Sequence, residues 1–500
     1  MENRKFEYGN DSLTLKKVMM MAEGKLDGFL SQRVRQSVET SRKNVETMAI
    51  SDKAIYGINT GFGPLCDVQI SPSETNLLQR NLLLSHAVGV GKPIDPILSK
   101  LMMICKVHAL CMGYSGIRIE VIERILYFIE HDLIPVVPEQ GSVGASGDLA
   151  PLSHLFLTLI DEGDFWIKGK IVAAKKVHAD HQLTPIQLQA KEGLALINGT
   201  QFILAHAVLG VGKMKYLLDL ADVTGAMSLE GYQGSASPFK KALHKIRPFK
   251  GSLKVAARMR TLLENSNNIK SHENCIRVQD PYSMRCMPQV HGASRNAYQH
   301  LKELTEIELN SVTDNPIVLS DTVAISGGNF HGQPLAMALD YASIAASELG
   351  NISDRRIYLL IEGKFGLPRL LTESGGLNSG YMIPQYTTAA LVTENKSLCF
   401  PPSADSIPTS LGQEDHVSMG SISGRKFNQI LGNLEKILAI EAMIAAQAME
   451  FRRPNSFSRI LESNFKIIRN RVPKLEEDRL LKDDIHQMIL LVTQQKLIVK

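Results

Sequence analysis

Residues 427 to 451, FNQILGNLEKILAIEAMIAAQAMEF, carry apolar side chains around most of a helical circumference, with charge only at Glu435, Lys436, Glu441 and Glu450. A helix with so little polar face must be enclosed by other helices rather than laid on a surface. The stretches 333 to 350, QPLAMALDYASIAASELG, and 201 to 221, QFILAHAVLGVGKMKYLLDLA, share the pattern, and their alanines permit close helix approach. Strand signals are few. DFWIKGKIVAA (164 to 174) reads as a small hairpin around Lys168-Gly169 and carries the only tryptophan, Trp166. No strand–helix alternation supports a parallel sheet. The expected fold is therefore mainly α, a long helical bundle with a smaller, loop-rich N-terminal part.

Five hundred residues exceed what one core usually organises. A soft break near 200 divides a Gly- and Pro-rich part, 1–200, from a helical part, 201–500. The pattern holds no repeat period and no low-complexity linker. Nearly all-apolar helices such as 333–350 and 427–451 exceed what one chain should leave at its periphery, so self-association is expected.

A net charge of +4, with 21% charged residues, is no footprint for nucleic acid, and small molecules are the expected partners. The six cysteines (Cys66, Cys105, Cys111, Cys275, Cys286, Cys399) form no C-x-x-C pair and point to neither a disulfide framework nor zinc. The polar start MENRKFEYGNDSLTLKK lacks an apolar signal core, and no run reaches the length of a membrane span. A cytoplasmic location is expected. Gly91-Lys92 and Gly212-Lys213 fail as phosphate loops, because His86 and Ala207 stand where the earlier glycine is needed. No metal site is expected: His178 and His181 flank Asp180 in a stretch read as solvated surface, and Glu414, Asp415 and His416 are consecutive, so their side chains diverge.

One stretch is unusually bare. GSVGASGDLAPLSH (141 to 154) places Ala145-Ser146-Gly147 between two glycines and Asp148. With such small side chains the backbone can fold sharply enough for the Gly147 nitrogen to approach the Ala145 carbonyl carbon. Loss of two waters from that arrangement would leave an electrophile made of protein alone. Glycine-rich loops are far more often simple turns.

The same stretch resembles the signature of the aromatic amino acid lyase family, whose members build a methylidene-imidazolone group (MIO) from this tripeptide. YGINTGFG (56 to 63), QRNLLLSHAVGVG (79 to 91), LALINGTQ (194 to 201), VQDPYSMRCMPQVHG (278 to 292), TDNP (313 to 316), GGNFHG (327 to 332), LNSGYMI (377 to 383) and GQEDHVSMG (412 to 420) resemble further family blocks, in family order. The resemblance covers nearly the whole chain. It implies elimination of ammonia across the Cα–Cβ bond of an aromatic amino acid, no external cofactor, and a mainly helical homotetramer whose sites use residues from several subunits. The blocks are most similar to the histidine-acting branch, which implies L-histidine as substrate and trans-urocanate as product.

Catalytic roles implied by the resemblance fall on Tyr56 as base, Ala145, Ser146 and Gly147 as the source of MIO, Asn198, Tyr282, and Arg285 as the carboxylate clamp. A free phenol titrates near 10, so the surroundings of Tyr56 are expected to favour phenolate. Substrate-binding roles fall on Ser85, His86, Gln279, Phe330, Met382 and Glu414. A carboxylate aimed at the ring suits imidazole, which offers N–H donors, and would be left unpaired by a phenyl ring. Two departures from the branch, Met287 and Phe400, make their surroundings less polar. If either faced the substrate, a phenylalanine or tyrosine lyase or a 2,3-aminomutase would gain ground. A catalytically silent helical scaffold is the remaining alternative.

Overall fold

A computed structural model describes residues 5–51, 53–272 and 277–499. Cys275 lies outside them. The structure is mainly helical, and the three apolar stretches lie in the long helices Gln201–Tyr232, Gln333–Ile361 and Gly420–Glu450. Strands are short. The expected hairpin pairs Asp164–Ile167 with Lys170–Ala173, and the left-handed Lys168 and Gly169 between them supply the twist such a two-residue turn requires. Ile134–Pro135 adds a third strand beside Trp166.

The chain divides into two compact units. The first comprises residues 1–209, 302–339 and 401–425; the second comprises 210–301, 340–400 and 426–500. The first run ends at Leu209, close to the break expected near 200, and two later segments return to join it. A single cut does not describe such returns.

In the first unit, helix Pro96–Leu110 begins with Asp95 accepting the Ile97 amide and Pro96 in the first turn, and it is buried continuously from Met102 to Leu110. His178, read as surface, is instead buried beside Asp161, because helix Ala174–Asp180 turns it inward.

The second unit explains the charge inside its most apolar helix. Glu441 is fully buried and accepts hydrogen bonds from Thr224 (2.8 Å), Ser228 (2.9 Å) and Ser353 (2.7 Å), with Arg356 gripping both oxygens. Burial works to raise its carboxyl, yet Arg356 and the hydroxyls outweigh it and hold the group below the ordinary carboxylate range. No helix of the described residues is long and apolar enough to cross a membrane.

Candidate active site

The tripeptide lies in the first unit in a sharply turned loop. Gly144, Ser146 and Gly147 all take left-handed φ angles of 81°, 50° and 81°. Ser146 pays a conformational penalty there that a glycine would not. Gly147 has no room for a side chain: a Cβ would stand 2.2 Å from the Gly199 oxygen. The Gly199 amide donates to the Ser146 carbonyl (3.3 Å), and the Asp148 amide donates to the Gly199 carbonyl (2.8 Å). Ala145 packs on Val417 and Met419.

Asp148 anchors the loop from below. Its buried carboxylate accepts the amides of Phe202 (3.0 Å) and Ile203 (2.9 Å) at the start of helix Gln201–Tyr232. Burial nevertheless pushes its carboxyl up to about 7.

Glu414 meets the tripeptide directly, since the Ser146 hydroxyl donates to its Oε1 at 3.0 Å. Its other oxygen accepts from Thr409 (3.0 Å) and Ser410 (2.7 Å), residues the sequence reading did not single out. Short polar residues are common, and only the turn that brings 409 and 410 back to 414 gives these two their task.

Tyr56 and His86 join the same neighbourhood. The turn Gly63–Leu65 packs on the turn Ser410–Gly412, and the Gly63 amide donates to the Tyr56 hydroxyl at 3.4 Å. Burial raises the Tyr56 phenol above its usual range, the Gly63 amide opposes this, and the Glu414 carboxylate adds to the rise. Within this unit the surroundings do not favour phenolate, contrary to the sequence expectation, because burial first and the Glu414 anion second both disfavour the charged form. His86 ends helix Thr75–His86, with its Nδ1 3.0 Å from the Ser85 hydroxyl. Burial lowers its imidazole, against the smaller opposing pull of the Leu82 carbonyl and Glu414.

Asn198 is buried and donates to the Asn315 carbonyl (2.7 Å), with Asp314 at 3.5 Å. Asn315 in turn accepts the Gly327 amide at 2.9 Å, and His331 stacks on His416 with ring centroids 5.8 Å apart. These ties bring the GGNFHG segment, with half-buried Phe330, to the segment that carries Glu414.

Gln279, Tyr282, Arg285 and Met382 belong to the second unit. Arg285 lies over the Tyr282 ring, 4.6 Å from its centroid, and its Nε donates to the Asp280 carbonyl at 2.9 Å. Tyr282 is 72% exposed, and Gln279 and Arg285 line an open cavity of about 1280 Å³ together with Arg247 and Arg260. Met382 opens helix Met382–Leu398. Met287 is fully buried against Gly225 and cannot meet a substrate from this chain, whereas Phe400 is 78% exposed. Among the described residues no cluster of His, Cys, Asp and Glu is arranged to hold a metal.

Comparison with known proteins covers nearly the whole molecule. The family model described as aromatic amino acid lyase matches residues 13–470. The chain is 45% identical to the histidine ammonia-lyase of Myxococcus xanthus, over 98% of this chain and 96% of that one. Among solved structures, the histidine ammonia-lyase of Trypanosoma cruzi superposes with a TM-score of 0.90 at 40% identity, covering 99% of this chain and 94% of that one. A tyrosine aminomutase from Streptomyces globisporus superposes with a TM-score of 0.93 at 33% identity, covering 99% and 98%.

Proposed function

This chain belongs to the aromatic amino acid lyase family, and from that premise we propose that it is a histidine ammonia-lyase, a carbon–nitrogen lyase that takes L-histidine to trans-urocanate and ammonia. The observation that carries this reading is the hydrogen bond from Ser146 to Glu414. It joins the tripeptide to a carboxylate suited to an imidazole N–H, with His86 close enough to feel the same charge.

The tripeptide fits the MIO group. Its bend is already left-handed at Ser146 and Gly147, and a larger residue at 147 would collide with Gly199. Once formed, the group supplies an electrophile for the substrate amine, which makes ammonia a better leaving group.

The chain's own side chains do the rest. Arg285 pairs with the substrate carboxylate through a planar, two-pronged guanidinium, with Gln279, Tyr282 and Asn198 completing the polar contacts around carboxylate and amine. Ser85, His86, Phe330, Met382 and Glu414 surround the ring. Tyr56 takes the β-proton, which requires phenolate. Burial and Glu414 oppose that charge in a single chain, so a cation has to come from elsewhere. Arg285 of another copy meets the need in a homotetramer whose active sites are shared between subunits. The free cysteines suit the reducing cytoplasm.

The aminomutase likeness supports a second reading, in which ammonia returns to the β-carbon. Assay of the purified protein with L-histidine, L-tyrosine and L-phenylalanine, with product identification, separates the two. Highest kcat/KM on histidine with an unsaturated acid as product is expected. Preference for tyrosine or phenylalanine, or release of a β-amino acid, overturns the histidine assignment.

A further inference from the structure

Lys106 stands alone in the apolar run LMMICKVHAL and is buried within helix Pro96–Leu110. An ammonium in such a place must be paired or surrender its charge. Its Nζ donates to the carbonyls of Ala195, at 3.2 Å, and Asn198. The carboxylates of Asp314 and Asp148 favour its charge, while burial dominates and lowers it to about 7. Lys191, bonded to Asp314 at 2.7 Å, completes a buried group of two lysines and two aspartates.

The Asn198 carbonyl belongs to the same peptide plane as the Gly199 amide. Lys106 therefore grips one edge of a peptide whose other edge donates to the Ser146 carbonyl at 3.3 Å. A hydrogen bond donated to the carbonyl oxygen polarises the peptide and strengthens its N–H as a donor. The next carbonyl, that of Gly199, accepts the Asp148 amide and abuts Gly147. The tripeptide thus rests on the backbone that this lysine fixes.

We propose that Lys106 is a positioning residue for formation of the MIO ring, holding the Asn198–Gly199 peptide so that the tripeptide stays in the bend where the Gly147 nitrogen reaches the Ala145 carbonyl carbon. The inference rests on the ring assigned above. In that closure the Gly147 N–C bond to Ala145 forms. The first water carries off the Ala145 oxygen with the amide hydrogens of Gly147 and Ser146, and the second carries off the Ser146 hydroxyl with its α-hydrogen. No oxidant is required.

The test is intact mass of the purified full chain, with a thermal melt to report folding, for wild type, Lys106→Met, Lys106→Gln and Lys106→Arg. Wild type should be two waters lighter than the encoded chain. Folded Lys106→Met should show a dehydrated fraction at least about tenfold lower after equal maturation time, because a charge-assisted clamp is lost, and Lys106→Arg should recover most of it. Full dehydration of a folded Lys106→Met protein overturns the role of Lys106 and leaves the ring assignment standing. A wild-type protein at its encoded mass overturns both. Should Lys106→Met not fold, Lys106→Gln takes its place with the same expected deficit. Failure of both neutral variants to fold places the work of this lysine in the core and also overturns the proposal.

Discussion

The residues assigned to chemistry are held very differently in the two units. In the first, Ser146, Glu414, Thr409 and Ser410 form one hydrogen-bonded chain, with Tyr56 and His86 inside the field of the same carboxylate. In the second, Tyr282 projects into solvent with Arg285 laid over it, and Gln279 is exposed at the cavity edge. One set is preorganised within its own chain. The other stands open on its own unit, which accords with the proposal that active sites are shared between copies.

The contrast breaks most sharply at Ser146. Ser146→Ala should leave a folded protein that has lost at most one water from its encoded mass, with essentially no lyase turnover, since the hydroxyl that leaves as the second water is gone. Turnover within about tenfold of wild type would remove the tripeptide from the chemistry.

On the open side, Arg285→Ala should lower kcat/KM for histidine about 10- to 100-fold, the scale of a lost charge-assisted hydrogen bond. It should also move the limb of the pH–rate profile on which Tyr56 ionises to higher pH. The sign follows from the phenol, which burial already raises; removing a cation raises it further and postpones the active phenolate. Mixing Tyr56→Phe with Arg285→Ala subunits under exchange should restore part of the activity. No recovery in demonstrably mixed oligomers would collapse the distinction between preorganised and docked residues.

Glu414→Gln probes specificity and should reduce histidine kcat/KM about tenfold more than any phenylalanine turnover. An equal loss on both substrates would remove Glu414 from ring recognition. The smallest effect is expected at its supports. Thr409→Val and Ser410→Ala should each lower histidine kcat/KM about three- to tenfold, the scale of one hydrogen bond to a charged group, with the melting temperature little changed.

Periodicity made the helices legible, because burial leaves its mark along 427–451 and on most of 333–350, where Met337, Tyr341 and Ile344 keep an apolar stripe exposed. The return of segments 302–339 and 401–425 to the first unit was not legible, since those contacts join residues far apart in sequence. In the candidate site the motif blocks pointed to Tyr56, Ser146 and Glu414, but not to the anion that raises the Tyr56 phenol. Lys106 did carry a signal, a lysine inside the apolar run 101–110, that a motif-led reading passes over. The departures at Met287 and Phe400 looked alike on paper. Packing separates them, because one is sealed against Gly225 and the other stands in solvent.

The Ser146 hydroxyl is the donor to Glu414 Oε1, and the ring closure proposed above would expel that hydroxyl as water. Maturation therefore vacates the carboxylate oxygen at the moment the electrophile appears. Before it, Glu414 is self-satisfied and has little appetite for an imidazole N–H; after it, a half-buried acceptor lacks a donor that the substrate can provide. The immature chain in effect carries its own competitive occupant, and the reaction that arms the site is the one that removes it.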